Sequence, residues 1–292
     1  MKKSAFYLMI VCLIFGFVFS SLVFAGGAEA YLQNLSPDIA VIDLEGQEVL
    51  TAQTLIASLE RFTNLQEVLL YDWPLEKADM SALTRAYPDV FFGFSIQIAE
   101  HRLRTDMTAF STLHNNKSPT HTSSDFDVLR YCTRLEALDL GHNAITDISF
   151  IENLTGIKVL ILALNQIEDI SVLSNLKQLE YLEIFRNKIR DISPLTGLSN
   201  LLDINLGYNY VSDYSPLYAL KNLERLWLYQ SNGYNAGPMK RATLREIQEH
   251  LPGCLINGVS AGTLGGWREH PRYDTIFEIF KTSVYKPFDP VE

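Results

Sequence analysis

Along residues 135–228 apolar positions recur with a constant period of 22. The run reads LEALDLGHNAITDISFIENLTG, IKVLILALNQIEDISVLSNLKQ, LEYLEIFRNKIRDISPLTGLSN, LLDINLGYNYVSDYSPLYALKN and LERLWLY, restarting at 135, 157, 179, 201 and 223. Each unit follows L-x-x-L-x-L-x-x-N-x-I. A fixed period of this length predicts stacked supersecondary units, each unable to bury its apolar face alone. Within x-L-x-L-x the alternation predicts a short strand whose side chains face opposite ways. Leu138 and Leu140 then point inward, as do Leu160 and Leu162, Leu182 and Ile184, Ile204 and Leu206, and Leu226 and Leu228. Residues between them point out from one parallel sheet. Asn143, Asn165, Asn187 and Asn209 follow where the chain leaves the strand, and their amides can serve backbone groups that the ladder no longer pairs. The return segments carry Asp147, Asp169, Asp191 and Asp213, each two residues before a serine. Ser-Pro at 193–194 and 215–216 predicts helix starts, with the hydroxyl as N-cap and proline at N1. At this length the expected turns are mostly 3₁₀.

The flanks keep the leucine spacing without the asparagine. Ile39-x-x-Ile42-x-Leu44, Leu65-x-x-Val68-x-Leu70 and Tyr87-x-x-Val90-x-Phe92 read as degenerate units. They fit a cap that shields the first core face. Thr51 to Phe62 predicts a helix with Leu55, Ile56, Leu59 and Phe62 on one stripe. Asp79 to Ala86 predicts a helical turn, and Phe94 to Thr105 a hairpin. The polar stretch HNNKSPTHTSSD at 114–125 predicts a loop that interrupts the period. Beyond Ser231 the unit lengthens to 28 residues, with a helix over Thr243 to Glu249 and a last strand, Leu251-x-x-Cys254-x-Ile256. From Gly262 the repeat is gone. Ile276, Ile279 and Phe280 form a stripe behind Asp274 as N-cap, so this tail is expected to dock on the end of the solenoid. The implied division is a signal at 1–30, an atypical N-terminal cap at 31–96, an insertion at 97–125, the array at 126–258 and the tail at 259–292.

Charge and the first residues narrow the setting. The net charge is −10, which gives no footprint for nucleic-acid phosphates or anionic lipid. Lys2 and Lys3 precede an uncharged, mostly apolar run from Ala5 to Ala25, the pattern of an export signal. Small residues offer cleavage at Val23-Phe24-Ala25 or at Ala28-Glu29-Ala30. Cleavage after Ala30 would leave a net charge of −11. The run is longer than the usual ~7–15-residue signal core and approaches the ~20 residues that span a bilayer, so a retained N-terminal anchor is the alternative. Either way the expected location is secreted or extracytoplasmic. Cys132 and Cys254 remain after the signal. Five repeat steps at about 4.8 Å separate their units, roughly 24 Å, so they are expected as two buried small hydrophobes and not as a disulfide.

These features together resemble the leucine-rich repeat family, in the 22-residue class with N-x-I-x-D-I-S-P-L phrasing. That class includes bacterial exported proteins of the internalin type and a eukaryotic phosphatase-regulating subunit. The match holds residue by residue over Leu135 to Tyr229 and weakens over Ile39 to Phe92 and Leu251 to Ile256. Sorting motif, cell-wall module and immunoglobulin-like extension are not recognisable after the repeats. The resemblance implies an α/β right-handed leucine-rich repeat solenoid, with a parallel β-sheet on the concave face and short 3₁₀ or α turns on the convex face. It also implies ligand binding by exposed concave positions. Mapped here, the richest of these are Tyr181, Glu183, Phe185, Asp203, Asn205, Tyr208, Arg225, Trp227 and Tyr229. Exposed aromatic and arginine residues in one patch are what binding hot spots are made of; the alternative is that Phe185 and Trp227 cover a sheet edge or the C-terminal tail.

Three function classes follow. The leading expectation is a non-catalytic exported protein that recognises a protein or a cell-surface glycan, with no cofactor, no metal, no nucleic acid and a membrane only if the N-terminal segment is retained. A structural or adaptor module is the second. A hydrolytic enzyme is the third; it would need His101, Arg102, Arg104 and Asp106 to meet Arg268, Glu269 and His270. The six histidines show no metal-ligand spacing, and no nucleophile elbow or phosphate-binding loop is present.

Overall fold

The structure is a computed structural model, and it describes residues 27–98, 100–112, 121–233, 237–259 and 266–289. The chain divides into two compact units, one ending at Phe92 and one beginning at Gly93. The signal expected at 1–30 lies outside the described residues except for 27–30. Those four residues begin helix α1, Gly27–Asn34, which runs across the expected boundary between signal and cap at residue 30. Ala28 and Leu32 of α1 are buried, and Arg61 donates to the carbonyls of Leu32, Gln33 and Leu35 at its end.

In the first unit, β1 (Val41–Asp43) pairs in parallel with β2 (Glu67–Leu70). Between them runs α2, Ala52–Leu59, which starts at Thr51 because its hydroxyl accepts the Thr54 N–H. Leu55, Leu59 and Phe62 are buried as the stripe predicts. Helix α3 covers Lys77–Ala86, longer than the expected turn, because Glu76 and Asp79 close a capping box ahead of it.

Strand β3, Phe91–Ile98, leads into the second unit, where its later residues pair antiparallel with β4, His101–Arg104. This is the expected hairpin. The second unit is built on a seven-stranded parallel sheet in chain order. Its strands are β5 (Ala109–Ser111), β6 (Ala137–Asp139), β7 (Val159–Ile161), β8 (Tyr181–Glu183), β9 (Asp203–Asn205), β10 (Arg225–Trp227) and, after helix α4 (Arg241–His250), β11 (Leu255–Asn257). Registers advance by 22 residues from β6 to β10, for example Leu138 to Leu160 to Leu182. The inward leucines and isoleucines are completely buried, and each contributes about 2 kcal/mol by leaving water. The opposite side carries short 3₁₀ turns at Ser149–Ile151, Ser171–Asn175, Ser193–Leu195 and Ser215–Ala219. The array is a leucine-rich repeat solenoid.

Several expectations are corrected. Strand β5 lies inside the stretch expected to be an insertion; its leucine places are disguised because Phe110 and Thr112 stand where Leu138 and Leu140 stand in the next unit. Residues 114–120 of the expected loop lie outside the described residues, but His121 is buried and Ser123–Tyr131 forms a 3₁₀ helix behind a Thr122–Asp125 capping box. The convex turns are capped by aspartate and not by the serine hydroxyl. Asp147, Asp169, Asp191 and Asp213 each accept the N–H of the serine two residues on, at 2.8–2.9 Å. Proline still sits in the first turn at 194 and 216. The asparagines do as read. Asn187 donates to the carbonyls of Leu162 and Ile184 and accepts from the Ile167 N–H, so one amide ties three places of adjacent units. Cys132 and Cys254 are buried free thiols, and burial pushes both upward, Cys254 to about 12.

A second column repeats without being visible as a motif. His142, Leu164, Arg186, Tyr208 and Gln230 all adopt left-handed backbone, with φ between 51° and 60°. There the chain turns sharply out of each strand, a conformation glycine would adopt at lower cost.

Candidate functional site

The concave face is built from the outward residues of β5 to β10. Strand spacing puts equivalent side chains of neighbouring units in direct contact. One column reads Ala109, Ala137, Val159, Tyr181, Asp203 and Arg225; the next reads Ser111, Asp139, Ile161, Glu183, Asn205 and Trp227. The chain thus presents small and aliphatic residues first, then aromatic and charged ones.

The nine residues expected to form an exposed patch do come together, but most are not exposed. Tyr181, Glu183, Phe185, Asp203, Asn205, Arg225 and Trp227 are buried, whereas Tyr208 and Tyr229 are half-buried. The chain's own tail covers them. The tail does not dock on the end of the solenoid as expected; it lies in the concave face. Its helix α5 spans Pro271–Thr282 and packs against β5 and β6. His270, not Asp274, is the N-cap, accepting the Arg272 N–H at its Nδ1. Ile276, Ile279 and Phe280 join Ala109, Ala137, Val159 and Ile161 in one apolar cluster.

Two tail residues are seated in the charged part of the face. Trp267 is fully buried, its indole N–H donating to Glu183 Oε2 at 3.0 Å. The same oxygen accepts the Tyr181 hydroxyl at 3.0 Å. The Trp267 ring lies 5.4 Å from Tyr181, 5.2 Å from Trp227 and 4.7 Å from the Arg225 guanidinium. Arg225 grips Asp203 with two bonds of 2.7 and 2.9 Å and donates to the Trp267 carbonyl at 3.0 Å. Arg272 Nε stands 3.0 Å from Asp203 Oδ2, as an ion pair without hydrogen-bond alignment, and its Nη2 bonds Glu224. Asp203 is thus held between two guanidiniums, the arrangement that makes a buried carboxylate tolerable. Farther along, Tyr285 donates its N–H to Thr108, and its ring receives the Lys158 ammonium at 4.6 Å. Phe288 reaches Tyr181 at 6.5 Å. A cavity of about 320 Å³ remains where the tail meets the side of the array, lined in part by Glu180, Glu224, Arg272 and Asp289.

Burial sets the protonation of this face. Asp139 is raised to about 7 by burial, opposed by the Gly141 N–H and Ser111 hydroxyl that bond it. Glu183 is raised as well, by burial first, with Trp267 and Tyr181 pulling the other way. Tyr181 is raised by the same burial and by Glu183.

The enzymatic constellation finds other roles. His101 packs edge-on against Phe110 at 5.9 Å and stands 3.6 Å from Glu100, while Arg104 pairs with Asp106. His270 is occupied as the cap of α5, and Glu269 is exposed. Among the described residues no cluster of histidine, cysteine, aspartate or glutamate could hold a metal ion.

Sequence reasoning missed Trp267 and Arg272 as parts of the site. The available signal was complementarity: the concave rungs carry Glu183 and Asp203, and the tail carries a tryptophan and, five residues later, an arginine.

A family model for leucine-rich repeats in two copies matches residues 133–175 and 155–197. Among solved structures, the chain is similar to an internalin (inlF) from Listeria monocytogenes, at 32% identity over 47% of this chain and 40% of that one, with a TM-score of 0.40. It is also similar to internalin C2 (inlC2) from the same organism, at 25% identity over 75% of this chain and 77% of that one, with a TM-score of 0.40. This chain thus spans well under half the length of the inlF structure. No curated protein matches it.

Proposed function

We propose that this leucine-rich repeat chain is an exported, non-catalytic binding protein that engages a protein ligand through its concave sheet. One observation carries the reading. The outward strand positions that do not repeat, Tyr181, Glu183, Asp203, Arg225 and Trp227, already hold a stretch of polypeptide by specific polar and aromatic contacts. Positions that serve only the fold repeat in every unit; these do not, and their chemistry suits a peptide more than a sugar, since they offer acceptors for an indole and a guanidinium. Export rests on Lys2-Lys3 and the apolar run to Ala25. No helix among the described residues is long and apolar enough to cross a membrane.

The test is cross-linking of the exported protein in its native cell, with and without Glu183→Gln and Arg225→Met. A protein partner that depends on both positions supports the reading; a partner captured equally by both variants removes it. Processing is tested by N-terminal sequencing. Cleavage after Ala25 leaves α1 whole, whereas cleavage after Ala30 would divide a packed helix, so a mature chain starting at Gly26 is expected.

The adaptor reading has its own supporting observation. The tail already buries most of the concave positions, which suits a structural or adaptor module with no ligand on that face.

A further inference from the structure

We infer that the ligand class of the concave face is a polypeptide segment bearing a tryptophan and, five residues later, an arginine, and that residues 266–289 are a built-in occupant that such a segment displaces. The inference rests on the concave-binding reading above and deepens it.

The argument starts from what a core cover would look like. A segment that merely shields an apolar sheet needs an apolar stripe, and α5 supplies one with Ile276, Ile279 and Phe280 over the early strands. That half of the contact is generic. Over β8 to β10 the contact changes character. The sheet there offers two buried carboxylates, Glu183 and Asp203, and on the same outward column as Asp203 the buried Arg225. Buried charge of this kind costs stability unless each group is matched. The tail matches two of these with a single residue each: the Trp267 indole N–H on Glu183, and the Arg272 guanidinium on Asp203 and on Glu224 at the rim. The Trp267 backbone carbonyl takes the remaining reach of Arg225. The Trp267 ring is seated between Tyr181 and Trp227, with the Arg225 cation against it. This is the anatomy of a binding hot spot, an aromatic and an arginine anchor in a desolvated pocket. Any partner that takes this face must leave Glu183 and Asp203 no worse matched than the tail does, because a stranded buried acceptor loses its full hydration. The tail meets that requirement with an indole N–H and a guanidinium five residues apart, and a displacing segment with the same two donors at that spacing meets it in the same way.

The full-length chain provides the test, with a labelled synthetic peptide of residues 266–289 as probe. Wild-type chain should bind the peptide weakly, because its own tail competes at high effective concentration. In full-length chain carrying Trp267→Ala and Arg272→Ala, amide exchange should rise in 266–289 alone, and peptide affinity should increase at least tenfold. A peptide with alanine at both anchor positions should lose that gain, and so should chain that also carries Glu183→Gln. Unchanged protection of 266–289 in the double variant would overturn the inference, since the anchors would not be what holds the tail. A released tail without peptide binding would overturn the ligand class. Loss of protection throughout the strands, repeated with Arg272→Lys alone, would make the tail a structural cover and overturn exchange. The parent reading fails separately: if the peptide exchanges as expected but cross-linked partners are indifferent to Glu183→Gln, the face serves only its own tail.

Discussion

The asparagine column and the polar residues of the concave face, Asp139, Glu183 and Asp203, are both buried and belong to the same repeat units, yet they teach opposite lessons. Asn143, Asn165, Asn187 and Asn209 repeat every 22 residues and are satisfied inside the array, each by backbone of its own and neighbouring units. Asp139, Glu183 and Asp203 repeat nowhere, and Glu183 and Asp203 are satisfied in part from 69–84 residues away in sequence, by the tail. The first column needs only another copy of the repeat. The second needs a particular occupant.

That contrast can be broken experimentally. Asn187→Ala should show the largest effect, about 4 kcal/mol, because it strands two buried carbonyls and one N–H at once; urea unfolding should report it as a loss for the whole array. Asn205, which only receives the Gly207 N–H, should cost about 1 kcal/mol on the same change. If the two cost the same, the distinction between columns fails. Arg272→Met should come next, at about 3 kcal/mol. Its loss should appear as amide exchange confined to 266–289, with β6 to β9 still protected.

Asp139→Asn sharpens the comparison through pH. Asp139 is raised from 3.8 to about 7, so the folded form binds a proton more readily than the unfolded chain. Its contribution is fully present below about pH 4 and is lost as pH rises towards 7. The groups around it are the Ser111 hydroxyl on β5, the Gly141 N–H, Glu183 on β8, and Arg268 and Tyr273 of the tail. The asparagine should therefore stabilise by about 2 kcal/mol at pH 8 and do almost nothing at pH 4, read as melting temperature against pH. The smallest effect is expected at the left-handed column: His142→Gly, at an exposed residue with φ of 60°, should gain about 0.5–1 kcal/mol.

Much of this was legible in the chain beforehand. The inward leucines, the asparagine turns and the strand order follow from the 22-residue period, since period and alternation fix burial with no long-range information. Strand β5 was not legible, because Ala109 and Phe110 pair with β6 without carrying the leucine spacing. The nine concave residues share one face, but most of them are buried where solvent exposure was expected, and the chain suggests tail coverage as an alternative for Phe185 and Trp227 only. Burial there depends on Trp267 and α5, contacts between residues 42–84 positions apart or more, and no local pattern reports such a meeting. The stripe of Ile276, Ile279 and Phe280 announced that α5 must cover something; it did not say what.

Because Trp267 and Arg272 follow every strand of the sheet in the chain, synthesis supplies the scaffold before its occupant. At about 5–20 residues per second the tail lags the last strand by a few seconds, whereas a repeat array can nucleate and propagate locally as it emerges. Each new molecule therefore passes through an interval with its concave carboxylates still in water. A partner present at the site of synthesis or export would meet an open face, and one encountered later would meet a closed one, so timing as well as affinity would decide what the protein carries.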